Sequence, residues 1–171
     1  VCPASLKGNW KDEANKWRPD FKVTILDGKG SFRWPQEKNE LVIVNYDILR
    51  LEKFKDPSGV EGKKAPDGLI PGTSMVIDEM HFLKNPDALR TQRANILAAE
   101  VRKRGGPTWG LTGSPLKDRP WDLWSELNVV GCAEQAFGNV TRFIELFDGK
   151  PDPYGHVKEW GAKVDPSVPA R

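Results

Sequence analysis

The sequence predicts an α/β fold in which a parallel sheet carries helices on both faces. Three observations point to the α/β class. Short β-branched runs such as "LVIVN" (41–45) and "TSMVID" (73–78) are continuously apolar, as in strands buried on both sides. A long segment of helical periodicity, "DALRTQRANILAAEVRKR" (87–104), follows the second of them. The length, 171 residues, fits a single domain whose core needs no disulfide staples.

The elements follow in order. "VCPA" reads as a short strand stopped by Pro3, and Ser5 is placed to cap a helix through "LKGNWKDEANKW", where Leu6, Trp10 and Trp17 recur at helical spacing. "FKVTIL" and "LVIVN" are strands, and a helix is expected from about Asp47 to Phe54. Residues 55–73 hold three Pro, four Gly and three Lys, and read as a surface excursion. Asn85 and Pro86 have the order of a cap followed by a first-turn proline, and Leu89, Ile96 and Leu97 are expected on one face of the helix that follows. "TWGLTG" is a further strand, Pro120 opens a helix through "WDLWSELNVV", and "VTRFIELF" is another. The lobe is expected over residues 1–148, with 149–171 as an extended tail containing four Pro.

Composition excludes several classes. No apolar run approaches the ~20 residues that cross a bilayer. A net charge of +2 is too small to imply a polyanion partner. Cys2 and Cys132 form neither a disulfide framework nor a metal-ligand cluster, which suits a reducing, intracellular compartment. His81 and His156 lack cysteines at zinc-ligand spacing. The chain opens without Met or a targeting segment and reads as a piece of something longer.

In parallel sheets, ligands sit beyond the carboxyl ends of the strands. Asn45, Asp78 and Thr112 fall at that edge. Asp78 and Glu79 are adjacent acids: one can hold a hard divalent cation while the other polarises a water, which are separate tasks in phosphoryl transfer. Acids leaving a strand for solvent are the commoner case, and His81 alone is more often structural. Thr112 and Ser114 place two hydroxyls in the turn "LTGSP", itself an ordinary turn sequence.

Together these segments are far more specific. "VIDEMHFLKNP" followed by "LTGSPLKDRPWDLWSEL" resembles motifs II and III of the Swi/Snf-type ATPases of helicase superfamily two. "VCPASLKGNWKDEANKW" resembles motif Ia and "LVIVNYDIL" motif Ib, with the annealing-helicase-like branch nearest. "FGNVTRFIELF" stands where that family has an aromatic-rich helix. The resemblance implies a RecA-like, P-loop NTPase-type sheet, and ATP and Mg²⁺ as cofactors of the parent enzyme with none bound by this fragment. Asp78 would hold the metal, Glu79 orient the attacking water and His81 couple the site to a second RecA-like lobe. Thr112, Gly113, Ser114 and Arg119 would link ATP state to DNA contact. Ser5, Leu6, Lys7, Asn45 and Tyr46 would lie along the backbone of double-stranded DNA. Met80 replaces the family's Ala, and Ser114 its commoner Thr.

A P-loop requires Gly-x-x-x-x-Gly-Lys-[Ser/Thr], and neither "GVEGKKAP" nor "LDGKGS" satisfies it. These 171 residues are therefore expected to form part of a first motor lobe, without the P-loop strand, inactive alone and prone to self-association through an uncovered face. Two other readings stand beside this. One is a non-catalytic DNA- or protein-binding module, supported by the basic clusters Lys63–Lys64 and Arg102–Arg104. The other is a metal-dependent nuclease, which lacks further acids at clear spacing.

Overall fold

The computed structural model describes residues 1–28, 30–55, 58, 60–114, 119–151 and 157–161. Two parallel strand pairs form its centre. Strand β1 (Lys22–Ile25) pairs with β2 (Glu40–Ile43). Four further strands follow in the chain: β3 (Glu52–Lys55), β4 (Glu61–Lys64), β5 (Met75–Asp78) and β6 (Thr108–Leu111). β5 and β6 form the second parallel pair.

The first two residues join the pairs. Cys2 bridges Asn45 in parallel and donates from its N to Val44 O at 2.9 Å. The Val1 nitrogen donates to Val76 O at 2.7 Å, and Asp78 N donates to Val1 O at 2.8 Å. The lateral order is thus β1, β2, residues 1–2, β5, β6.

Helix α1 (Lys7–Trp17) packs on β1 and β2. Helices α2 (Leu89–Lys103) and α3 (Pro120–Val130) pack on each other and on β6. On one face of the β5–β6 pair, Ile77 is fully buried and Gly110 lies under Met80 and Val130. On the other face, Val76, Trp109 and Leu111 stay exposed. Asp78 shares that open face, two residues beyond Val76. It continues into a cleft of about 540 Å³ lined in part by Val1, Trp10, Val42, Val76 and Asp78.

Several expectations are corrected. Ser5 does not cap α1: it lies in a 3-10 turn (Ala4–Leu6), and Leu6 occupies the cap position without a side-chain bond. No helix spans 47–54. A 3-10 turn at Tyr46–Ile48 gives way to β3, which pairs antiparallel with β4 inside the supposed loop. Glu52 faces Lys64 and Lys55 faces Glu61, two opposite-charge pairs that favour this register, against one like-charge pair, Lys53 with Lys63. Asn85 starts no helix either. Its Oδ1 accepts from Asp87 N at 3.0 Å, a local turn that competes with helix, and α2 begins at Leu89. Leu89 is exposed; the buried stripe of α2 is Ala94, Leu97, Ala98 and Val101, whose small residues admit close packing.

Helices α4 (Ala133–Phe137) and α5 (Val140–Leu146) follow, α5 capped by Asn139, whose Oδ1 accepts from Arg142 N at 2.9 Å. The expected extended tail is instead, over its described part, a hairpin of β7 (Gly149–Pro151) and β8 (Val157–Trp160). Trp160 joins Trp121 and Phe143 in an aromatic cluster, so burial of one large ring ties the hairpin down. Residues 152–156, with His156, and 162–171 lie outside the described residues, as do 115–118 of the "LTGSPLKDRP" segment.

Candidate functional site

Strand β5 delivers Asp78 to the carboxyl edge of the sheet. Its Oδ2 accepts from Trp10 Nε1 at 2.7 Å, and its Oδ1 accepts from Glu79 N at 2.9 Å. Glu79 then leaves the strand in the left-handed region, with φ 52° and ψ 49°. An unbranched residue other than Gly there carries a strain of about 1–2 kcal/mol, and such strain clusters at working sites. The turn sends the two adjacent carboxylates in separate directions. Glu79 Oε2 lies 3.1 Å from His81 Nδ1. The same nitrogen is 3.4 Å from Thr112 Oγ1, the residue after β6. One imidazole therefore touches both acidic segment and hydroxyl turn.

Of the predicted site residues, Asp78, Glu79, His81 and Thr112 come together. Ser114 is exposed, and its N donates to Thr112 Oγ1 at 3.2 Å. Gly113 is exposed with open space where a Cβ would stand. Arg119 occupies the N-cap of α3, its Nη2 3.6 Å from Asp122 Oδ1 and away from the acidic edge. Met80 turns inward, its bulk seated against Gly110 rather than beside the site.

The expected DNA-tracking side chains divide. Ser5 is exposed and Leu6 half-buried. Lys7, Asn45 and Tyr46 are buried. Lys7 Nζ pairs with Asp27 and donates to Leu26 O at 3.1 Å and Asn45 Oδ1 at 3.3 Å. Tyr46 Oη donates to Asp78 O at 2.6 Å; burial, with Asp78 nearby, pushes this phenol well above its ordinary range, so it stays a donor. These three side chains brace the strand ends.

Three members of the basic clusters have structural partners. Arg102 Nη1 donates to Val129 O at 2.6 Å, Arg104 Nη1 to Leu69 O at 3.2 Å, and Lys64 pairs with Asp67. Gly131 ends α3 with φ 79°, and a Cβ there would stand 2.6 Å from Arg102 Nε, so the arginine's seat requires glycine.

The donor set fits Mg²⁺. Among the described residues no group of three or more His, Cys, Asp and Glu could cage a metal. Mg²⁺ needs no cage: it keeps several waters and is held by one or two carboxylates plus substrate phosphates. Asp78 offers such a carboxylate, half-open and held by uncharged donors.

Sequence reasoning placed Trp10 on the face of a helix by spacing and missed its bond to Asp78. The signal was available: a buried indole N–H seeks a partner.

Comparison with known proteins matches the SNF2-related domain model to residues 1–156. An uncharacterized ATP-dependent helicase of Mycoplasma genitalium is 28% identical over 151 residues, covering 86% of this chain and 13% of that protein. The homolog of SWI/SNF-related matrix-associated actin-dependent regulator of chromatin subfamily A-like protein 1 from Caenorhabditis elegans is 28% identical over 160 residues, covering 88% and 20%. The chain thus spans a fifth or less of the length of these relatives. Among solved structures, the Sulfolobus solfataricus SWI2/SNF2 ATPase core in complex with dsDNA matches with a TM-score of 0.53 and 20% identity, over 85% of this chain and 27% of that one. That likeness shows the RecA-like α/β fold. With the motifs in order at one sheet edge and the domain model matched over most of its length, the chain belongs to the SNF2-related domain family.

Proposed function

We propose that this chain is part of the first motor lobe of a DNA-dependent ATPase that moves along double-stranded DNA, working inside the cell. The observation that carries this reading is the joined set Asp78, Glu79, His81 and Thr112 at the carboxyl edge of the sheet. Asp78 holds Mg²⁺ through its half-open carboxylate. There it would supply positive charge that offsets the charge of the phosphates. Glu79, turned away from Asp78 by its left-handed backbone, orients the attacking water and receives its proton. His81, between Glu79 and Thr112, relays the state of that carboxylate to the turn at 112–114 and the second lobe. Ser5 and the main chain of the Ala4–Leu6 turn track phosphates of the DNA backbone, a contact that carries little sequence information.

The 171 residues alone lack a P-loop sequence, and loss of even one preorganised donor typically costs a factor of ~10²–10³ in rate. The isolated chain therefore releases no phosphate from ATP above background, with or without duplex DNA. It binds duplex DNA weakly, without sequence preference, and with affinity that falls steeply as salt rises. Phosphate-release and fluorescence-anisotropy assays test both statements; clear turnover, or binding indifferent to salt, contradicts them. The exposed Val76, Trp109 and Leu111 support self-association of the isolated chain, measured by sedimentation.

A further inference from the structure

We propose that Trp10 is the positioning residue for the Asp78 carboxylate, holding it in the orientation that presents its remaining lone pairs to the cation. The proposal rests on the cation role of Asp78 given above. Both carboxylate oxygens are engaged, Oδ2 by the indole at 2.7 Å and Oδ1 by Glu79 N at 2.9 Å. A carboxylate oxygen accepts about two hydrogen bonds, so each keeps one lone pair for the metal or its waters.

The chemistry of the donor matters as much as its place. An indole N–H is donor-only and uncharged. It fixes rotation of the carboxylate without neutralising it, whereas Lys or Arg in the same position would compete with the cation. Metal ligands are commonly oriented by such outer partners, and their loss typically costs about 10–100-fold in metal affinity.

Other tryptophans show that this bond is not a generic way to satisfy an indole. Trp17 bonds Glu13 on its own helix at 2.7 Å, and Trp34 bonds the Pro66 carbonyl at 2.7 Å. Trp10 instead reaches across the fold to an acid 68 positions later, from a helix anchored on β1 and β2. Tyr46 Oη holds the Asp78 main chain at 2.6 Å, so backbone and carboxylate are separately fixed.

The test uses the ¹⁵N-labelled chain and MnCl₂ as probe. The Trp10 indole resonance, identified by its loss in Trp10→Phe, should move more than any other indole resonance in Asp78→Ala. Trp10→Phe should bind Mn²⁺ about 10–100-fold more weakly than wild type at nearly unchanged melting temperature. Trp10→His, which restores an N–H donor, should recover part of that loss. An indole resonance unmoved by Asp78→Ala overturns the proposal, and so does undiminished Mn²⁺ affinity in Trp10→Phe. Should Trp10→Phe fail to fold, loss of the resonance in Trp10→His identifies it, and its shift in Asp78→Ala decides the matter. Equal Mn²⁺ binding by wild type and Asp78→Asn overturns the cation reading itself, a failure distinct from loss of the indole bond.

Discussion

Two pairs of acids lie on opposite sides of this molecule's logic. At the sheet edge, Asp78 and Glu79 are half-buried, each with a neutral or imidazole donor. On α3, Asp122 and Glu126 are each 1% exposed, one helical turn apart, and among the described residues three of their oxygens have no hydrogen-bond partner. Burial and the neighbouring Asp122 push Glu126 up to about 7, with Lys84 opposing. Glu126 is strongly perturbed, yet neither it nor Asp122 lines the cleft beside Asp78, and neither meets the hydroxyl turn. Perturbation alone therefore does not mark a site; access and oriented donors do.

The largest expected effect separates the pairs by pH. Glu126 keeps its proton in the folded state to about pH 7, while the unfolded chain releases it near its ordinary 4.5. Its contribution is fully present below that lower value and is lost as pH rises through about 7, on the order of 3 kcal/mol in all. Urea unfolding at about pH 5 and about pH 8 measures the difference, and Glu126→Gln should flatten it. A flat wild-type profile would mean that Glu126 has a partner and the contrast between the pairs fails.

A smaller effect lies beneath the acidic edge. A Cβ on Gly110 would stand 2.1 Å from Met80 Sδ, so Gly110→Ala should destabilise by about 1–3 kcal/mol. Met80→Ala in the same chain should recover part of that loss, because the smaller residue vacates the space. Purely additive costs in the double-mutant cycle would show that the two side chains do not share a seat.

The smallest effect has the opposite sign. Glu79→Gly removes left-handed strain of about 1–2 kcal/mol and adds a glycine entropy cost of about 0.5–1 kcal/mol. Thermal unfolding should show stability unchanged or raised by up to about 1 kcal/mol, although the carboxylate proposed to orient water is gone. Marked destabilisation would make Glu79 a structural residue, as Glu126 is.

The strands of the sheet and the placing of Asn45, Asp78 and Thr112 at its edge were legible because apolar runs need only short-range pattern. What the sequence concealed depends on distance. β3 and β4 are charged segments that become strands only through their mutual register, Glu52 with Lys64 and Lys55 with Glu61. Lys7 reads as a free cation until Asp27 and Asn45 are brought to it by the strands between. Trp10 reads only as one position of a helical spacing until β5 carries Asp78 to its indole. Asp122 and Glu126 lie on a helix whose sequence does not mark them as buried, and the packing of α3 against its neighbours reveals it.

A paramagnetic map tests the central claim most directly. With MnCl₂ added to the ¹⁵N-labelled chain, the amides of residues 78–81 and the Trp10 indole should broaden first, and Asp78→Asn should abolish this. Broadening centred on Asp122 and Glu126, or spread evenly over surface acids, would contradict the assignment of the sheet edge as the cation site.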